Sequence, residues 1–212
     1  IFLQNRLNTP VSLVVDKLAF RFGNSENGIK PFRFTAQSGE MLGIMGGSGV
    51  GKSTLINLLN GTLPPEKGKV IINGYDVYRY PKTLEGIIGY IPQDDLLIEE
   101  LSVYENLYYN ARLCFRDYTG EEIGEVVGRM LEDLNLQEAA GLKVGNPLKK
   151  FISGGQRKRL NIGLELMREP SILFVDEPTS GLSSMDSDKV MTLLKRQTQK
   201  GKLVIVNIHQ PS

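Results

Sequence analysis

The segment GGSGVGKSTLINLLNG, Gly46–Gly61, decides the fold. It follows the apolar run MLGIM, and GGSGVGKS matches the pattern G-x-x-x-x-G-K-[ST], with a strand expected before it and a helix after it. Glycines have no Cβ, so their backbone N–H groups can converge on phosphate oxygens, and the start of the following helix contributes its dipole. The segment therefore predicts a phosphate-binding loop (P-loop) on a mainly parallel α/β sheet.

Each position of the P-loop has an expected task on a nucleoside triphosphate. Lys52 is expected to reach the β- and γ-phosphates, and the Ser53 hydroxyl is expected to bind Mg²⁺. The alternative is a glycine-rich turn without a ligand, which the strand–helix context disfavours. The predicted binding set is Gly46, Gly47, Ser48, Gly49, Val50, Gly51, Lys52, Ser53 and Thr54.

Polar residues follow three other apolar runs. ILFVDEP ends in Asp176 and Glu177, and adjacent buried carboxylates are unfavourable unless a cation or a reacting proton needs them. Asp176 is expected to hold Mg²⁺ and Glu177 to polarise an attacking water. Gln93 can ligate Mg²⁺ through its carbonyl, and His209 can donate to a γ-phosphate oxygen. The alternatives are a solvated carboxylate pair and a structural histidine.

Composition narrows the class of protein. The 212 residues are 41% hydrophobic and 23% charged, and 25 Lys and Arg against 24 Asp and Glu predict no nucleic-acid partner. The single cysteine, Cys114, excludes an internal disulfide framework. No apolar run is long enough to span a bilayer. The chain opens at Ile1 without a methionine, and we expect a single domain, 1–212, taken from a longer polypeptide.

The pattern of strands and helices changes along the chain. VSLVVDKLAF and FRFTAQ alternate apolar and polar residues, which is typical of antiparallel strands. A helical sub-lobe is expected at about 101–160, where Ser102 and Glu105 have capping-box spacing. Strands rich in Val, Ile and Leu then alternate with helices, which indicates a parallel sheet covered on both faces.

A second glycine segment, FISGGQRKRL, spans Phe151–Leu160. Ser153, Gly154 and Gly155 would supply a hydroxyl and exposed N–H groups at a helix start. The segment therefore predicts a second anion site, separate from the P-loop.

The motifs together resemble those of the ATP-binding-cassette (ABC) ATPases. The P-loop, Gln93, ISGGQ, ILFVDEP and His209 occur in that family's order and spacing, and the resemblance extends from about Val11 to the end. SGGQRKRLNIGLELM, DEPTSGL and IHQPS are most similar to the G-type (white/pigment-type) transporters. The resemblance implies ATP and Mg²⁺ as cofactors. It also implies a P-loop NTPase (RecA-like) core with an N-terminal antiparallel β subdomain and an inserted α-helical subdomain.

The resemblance further implies partners. In this family two nucleotide-binding domains pack head to tail, as a homo- or heterodimer. The segment of Ser153, Gly154, Gly155 and Gln156 then closes over the γ-phosphate held by the neighbour's P-loop. A transmembrane domain is expected on the same chain, C-terminal to this segment, with the ATPase at the cytoplasmic face of the membrane. Phe22, with Phe20 as a rival, is expected to stack on adenine.

Two departures and one open question accompany the resemblance. Ser183 stands where the family usually has aspartate, in a loop that contacts the opposite ATP site of the dimer, so the change puts coupling between the two ATP sites in doubt. Ile152 replaces the leucine that usually begins the ISGGQ motif. The sub-lobe aromatics are either core residues or a contact for the membrane domain, in which case Tyr108 or Tyr109 should be exposed. The alternative functions are a soluble ABC ATPase acting on nucleic acid or ribosomes and a non-hydrolysing docking module.

Overall fold

The computed structural model describes residues 10–23, 27–146 and 149–209, with only the backbone described at 149, 150 and 209. The end of IHQPS, residues 210–212, lies outside this part of the chain. The chain divides into two compact units. The first contains the described residues of Ile1–Tyr90, Pro170–Pro178 and Leu194–Ser212, and the second contains those of Ile91–Glu169 and Thr179–Leu193.

An antiparallel sheet forms one part of the first unit. Its strands are β1 (Ser12–Arg21), β2 (Gly28–Gln37), β4 (Lys67–Ile72) and β5 (Tyr75–Asp76), in the order β2-β1-β4-β5. The alternation in β1 buries every second side chain in its first half, as expected for a sheet with one covered face. The register shifts between Asp16 and Ala19, and Lys17 there adopts a positive φ of 49°.

A second sheet in the same unit carries the predicted strand ends. Its strands are β3 (Met41–Gly46), β6 (Ile88–Ile91), β9 (Ile172–Val175) and β10 (Leu203–His209), in the order β3-β10-β9-β6. Strand β10 runs parallel to both β3 and β9, so the carboxyl ends of these three strands lie at one edge. Helix α1, Lys52–Leu59, follows β3 through the P-loop. The predicted fold class, a mainly parallel sheet with an N-terminal antiparallel β subdomain, is confirmed.

One hydrophobic core joins the two sheets of the first unit. Leu18 of β1, Ile56 of α1 and Phe174 of β9 are fully buried within it. Strand β9 is buried along its whole length, which explains why ILFV is apolar at every position rather than alternating.

The second unit is mainly helical. It contains α2 (Val103–Cys114), α3 (Gly120–Leu134), a short 3-10 helix (Gln137–Ala139) and α4 (Gly154–Leu166). Two short strands, β7 (Gly145–Asn146) and β8 (Lys149–Lys150), pair before α4. Helix α5, Ser184–Gln199, begins in this unit.

Capping boxes start three α-helices of the second unit, α2, α3 and α4. The predicted box is present, because the Ser102 hydroxyl accepts from the Glu105 N–H and the Glu105 carboxylate accepts from the Ser102 N–H. Thr119 and Glu122 form the same box at α3. The backbone hydrogen bond from each cap lowers the pKa of the glutamate carboxyl in both boxes.

Helical periodicity explains which residues of the sub-lobe are buried. Helix α3 buries Ile123, Val127, Leu131 and Leu134, which lie three or four residues apart. Gly163 of α4 has no Cβ, and this lets the Leu134 side chain approach the α4 backbone. Tyr109 of α2 is 52% exposed. Within the described residues, no helix combines the length and the apolar character that crossing a membrane requires.

A glycine at the β1–β4 bulge generates a stability prediction. Gly68 has φ of 85°, and a Cβ there would overlap the carbonyl groups of Asp16 and Lys17. We expect Gly68→Ala to lower the free energy of unfolding by about 1–3 kcal/mol because it adds backbone strain. The matched change Gly43→Ala lies in β3 with no atom within 4 Å of the new Cβ, so it should leave stability within about 1 kcal/mol of the parent. Denaturant titration of both variants checks this, and equal losses would contradict the strain argument.

Candidate functional site

The P-loop has the backbone that an anion site requires. Gly49 and Gly51 have φ of 75° and 97°, a left-handed conformation that only glycine adopts without strain. Gly51 occupies the N-cap position of α1, and none of the described side chains caps this helix. The first N–H groups of α1 therefore remain available to phosphate oxygens. Ser48 and Val50 lie exposed on the loop, and Thr54 is half-buried in the first turn of α1.

Lys52 lies inside the loop. Its Nζ donates to the carbonyl oxygens of Gly46 at 3.0 Å and Gly47 at 2.9 Å, and the side chain is almost fully buried. The Glu177 Oε1 atom lies 3.6 Å from the same Nζ. These contacts hold the ammonium group at the centre of the loop and beside the carboxylate that ends β9.

Ser53 and Asp176 meet across two elements. The Ser53 hydroxyl, in the first turn of α1, donates to the Asp176 Oδ1 at 3.1 Å. A hydroxyl and one carboxylate are a suitable protein contribution to a Mg²⁺ site, because Mg²⁺ takes oxygen ligands and fills its octahedron with phosphate oxygens and water. Among the described residues, no group of three His, Cys, Asp or Glu side chains is placed to hold a metal ion.

Asn207 is a site residue that the motifs did not reveal. It is fully buried on β10, and its amide nitrogen donates to the Asp176 Oδ1 at 2.5 Å. Its carbonyl oxygen accepts from the Glu177 N–H, also at 2.5 Å. A signal was present in the sequence, since Asn207 is the polar residue that interrupts LVIVNI. One side chain thus positions both carboxylate residues.

Tyr90 of β6 is a second such residue. Its hydroxyl donates to the Asp176 Oδ2 at 3.5 Å. Burial raises the pKa of Tyr90, and the charge of Asp176 and this hydrogen bond raise it further. The phenol therefore remains a protonated donor to the carboxylate at neutral pH and above.

Glu177 departs from ordinary backbone geometry. Its φ of 44° lies in the left-handed region, which is uncommon for a residue other than glycine. The hydrogen bond from its N–H to Asn207 stabilises this conformation, and the side chain then lies beside Lys52. Strain of this kind is concentrated at functional sites.

His209 is described by its backbone alone. It is paired with Gly46 in the parallel register of β10 and β3. The end of β10 is therefore adjacent to the first glycine of the P-loop, while the imidazole lies outside the described part of the chain.

The residue predicted to stack on adenine is accessible. Phe22 follows β1 and is 47% exposed, and it contacts Phe20 edge to face with ring centroids 5.2 Å apart. Phe20 is half-buried, and it packs against the hydrophobic core of the first unit. Of the two rings, Phe22 has the larger exposed surface on which adenine could stack.

The second glycine segment starts α4 in the second unit. Ser153 is the N-cap, its hydroxyl accepts from the Gln156 N–H at 3.1 Å, and its own N–H donates to the Gln156 Oε1 at 2.7 Å. Ser153 and Gly154 are exposed, whereas Gly155 is buried. Because the Ser153 oxygen serves as the acceptor in this cap, its O–H group can still donate to an acceptor outside the helix.

The basic residues after this segment are buried rather than solvated. The Arg157 guanidinium binds both carboxylate oxygens of Asp95 at 2.9 Å. The Lys158 Nζ donates to the carbonyl oxygens of Pro92 at 3.2 Å and Gln93 at 2.9 Å. Helix α4 therefore holds the segment that contains Gln93, whose own side chain is exposed. Sequence reasoning did not find these contacts, because a basic run on a helix more often indicates a solvated face.

The Asn207 contacts generate a prediction. Asn207→Ala removes a donor from Asp176 and an acceptor from the Glu177 N–H, so we expect the free energy of unfolding to fall by about 1–3 kcal/mol. Asn57→Ala is the matched control, because Asn57 is half-buried in α1 and alanine has the higher helix propensity. Chemical denaturation of the two variants measures the difference, and an Asn207→Ala protein as stable as its control would contradict the bridging role.

Comparison with known proteins gives the family. A family model described as "ABC transporter" matches residues 29–180. The ABC-type transporter claG of Penicillium crustosum is 41% identical over 82% of this chain and 23% of its own length. ABC transporter G family member 18 of Arabidopsis thaliana is 41% identical over 84% of this chain and 25% of its own length. The broad substrate specificity ATP-binding cassette transporter ABCG2 of Mus musculus is 40% identical, covering 79% of this chain and 26% of its own length.

A solved structure agrees with the relatives. The cbiO1 protein from Clostridium perfringens, described as part of the ABC transporter complex cbiONQ, superimposes with a TM-score of 0.78 at 29% identity. The match covers 93% of this chain and 78% of that protein. This chain spans about a quarter of the length of the curated relatives named above. It belongs to the ABC transporter family, whose nucleotide-binding domains are ATPases, and its similarity to G family members confirms the resemblance that its motifs indicated.

Proposed function

We propose that this chain is a single nucleotide-binding domain, the ATP-binding and ATP-hydrolysing motor of an ABC membrane transporter. It works as a head-to-tail dimer, with each ATP bound between the P-loop of one copy and the Ser153–Gln156 segment of the other. The observation that carries the proposal is the convergence of Lys52 and Ser53 with Asp176 and Glu177. Two segments of the first unit, the start of α1 and the end of β9, bring each of these groups within 4 Å of a partner on the other segment.

The P-loop binds the triphosphate. Its glycines and the uncapped start of α1 present N–H donors, and the Lys52 ammonium lies among them. Because the loop carbonyls already hold Lys52 in place, little side-chain entropy is lost when the β- and γ-phosphates bind. Phe22 provides the exposed ring on which adenine stacks.

Ser53 and Asp176 are the residues of the first unit that would hold Mg²⁺. When bound, Mg²⁺ neutralises charge on the phosphate oxygens. Asn207 and Tyr90 keep the Asp176 carboxylate oriented by donating to its two oxygens. Ordered ligands of this kind favour a small ion with strict geometry.

Glu177 is the proposed base. Its carboxylate accepts a hydrogen bond from the attacking water and orients that water in line with the γ-phosphate. His209 donates to a γ-phosphate oxygen in this proposal, and the pairing of its backbone with Gly46 supports that role. Lys52 offsets the charge that develops on the transferred group.

The second anion site requires a second copy in this proposal. Ser153 and Gly154 are exposed at the start of α4, so their hydroxyl and N–H groups are available to another molecule. Donors from the neighbour complete the shell around the γ-phosphate, which explains why one chain carries two glycine segments. A single copy would then bind ATP but hydrolyse it slowly.

The transport role rests on the relatives, which are named as transporters. We place the transmembrane domain on the same chain, C-terminal to this segment, and the motor at the cytoplasmic face of the membrane. Tyr109 and Leu113 are exposed on one face of α2, 52% and 78%, and offer an apolar surface for the membrane domain.

Glu177→Gln tests the base. We expect ATP turnover to fall by about 10²–10⁴-fold, because the amide cannot take a proton from water, while ATP binding persists. The variant should then accumulate as a dimer in ATP and Mg²⁺, measured by light scattering alongside phosphate release. Glu125→Gln, on the exposed face of α3, is the control and should hydrolyse ATP normally. Normal turnover by Glu177→Gln would refute this assignment.

Lys52→Ala tests the phosphate site. Losing a charged donor should weaken ATP binding by about tenfold or more, since hydrogen bonds to charged groups contribute roughly 1.5–3 kcal/mol. An equilibrium titration with ATP measures the affinity, with Lys82→Ala at an exposed position as the control. Unchanged affinity in Lys52→Ala would show that the triphosphate binds elsewhere.

A further inference from the structure

The loop that follows Glu177 leads into a capped helix. The Ser183 hydroxyl accepts from the Asp186 N–H at 3.2 Å and donates to the Asp186 Oδ2 at 3.3 Å. Helix α5 begins at Ser184, so Ser183 acts as its cap. The residue that stands in place of the family's usual aspartate therefore orients a different carboxylate, that of Asp186.

Asp186 lies directly against the second glycine segment. A Cβ built on Gly155 would come within 2.7 Å of the Asp186 Cβ and closer still to its carboxylate. A Cβ on Gly154 would lie 3.3 Å from the Leu182 side chain. Leu182 of this loop and Asp186 of the first turn of α5 thus lie against the two glycines of the same chain, and Asp186 can pack where it does only because Gly155 has no Cβ.

Arg159 adds an electrostatic contact one turn further along α4. Its Nε donates to the Leu134 carbonyl at 2.9 Å, and its guanidinium is buried. The Nη1 atom has no hydrogen-bond acceptor in the described part of the chain, and it lies 3.6 Å from the Asp186 Oδ1. Burial lowers the pKa of Arg159, and the charge of Asp186 opposes this effect. A buried guanidinium needs a counter-charge, and Asp186 supplies it.

We propose that Asp186 is a positioning residue for the ISGGQ segment of its own chain. Its carboxylate packs against Gly155 and forms an ion pair with Arg159. These contacts fix the position of residues 179–186 relative to the start of α4. The catalytic consequence rests on the function proposed above. Where Ser153 and Gly154 complete the neighbour's site, loss of Asp186 slows hydrolysis there and leaves ATP binding by the chain's own P-loop unchanged.

Hydrogen exchange tests the contact without relying on ATP. Asp186→Asn preserves the volume of the side chain and removes its charge, and Asp188→Asn removes the same charge from an exposed position on α5. In the intact protein without nucleotide, the amides of Gln156 and Arg157 should exchange roughly fivefold faster or more in Asp186→Asn than in the control. Equal exchange in the two variants would overturn the proposal.

Hydrolysis tests the consequence. We expect kcat to fall about tenfold or more in Asp186→Asn, with the dissociation constant for ATP within about twofold of the control, because only the segment that completes the neighbour's site is displaced. A kcat equal to that of Asp188→Asn would overturn the catalytic part. A parallel loss of ATP affinity would also overturn it, since that outcome indicates general disruption.

If Asp186→Asn folds poorly, a double variant can still test the positioning role. Adding Arg159→Gln removes the uncompensated buried charge, so the pair of substitutions should restore stability relative to Asp186→Asn alone. Its kcat should nevertheless stay low, and a kcat at the wild-type level would refute the positioning role. If Glu177→Gln hydrolyses ATP normally, the proposed function fails, yet the exchange comparison still decides whether Asp186 holds the segment.

Discussion

The buried carboxylate of Asp176 is the group on which the candidate site depends. A charge at the end of a fully buried strand is unfavourable unless donors surround it. Here the donors come from three neighbours of β9: Ser53 of α1, Asn207 of β10 and Tyr90 of β6. The three hydrogen bonds tie one helix and two strands of the first unit to the same carboxylate. The order β3-β10-β9-β6 places β10 and β6 on either side of β9, and the parallel pairing of β10 with β3 and β9 brings the carboxyl ends of those three strands together.

The geometry next to Asp176 follows from the same network. Asn207 accepts from the Glu177 N–H while donating to Asp176, so one amide fixes two consecutive residues. Glu177 can then hold a left-handed backbone that would be unfavourable in a free chain. Its carboxylate comes to lie 3.6 Å from the Lys52 ammonium. The strained residue and the buried lysine are therefore supported by packing and hydrogen bonds from the scaffold rather than by their own preferences.

The second unit uses buried charge differently. The basic residues after Gln156 bind separate parts of the unit. Arg157 and Lys158 both bind residues 92–95, through Asp95 and through the carbonyls of Pro92 and Gln93. Arg159 binds the Leu134 carbonyl and lies beside Asp186. Long side chains with several donors can satisfy carbonyls at distant points of the chain. Helix α4 thereby fixes the start of its own glycine segment relative to the loops around it within this unit.

The family followed from the resemblance of the motifs, in their order and spacing, to those of the ABC ATPases. Local chemistry allowed the sequence alone to predict the P-loop, the strand ends and the capping box of Ser102. Those features depend on residues close together in the chain: glycine conformations, hydrophobic periodicity and short capping contacts. The roles of Asn207, Tyr90 and Asp186 were decided only by the tertiary structure. Each acts through a partner far away in sequence, and no local pattern specifies which buried polar group will face which donor. Their positions follow from sheet order and helix packing, which only the folded chain establishes.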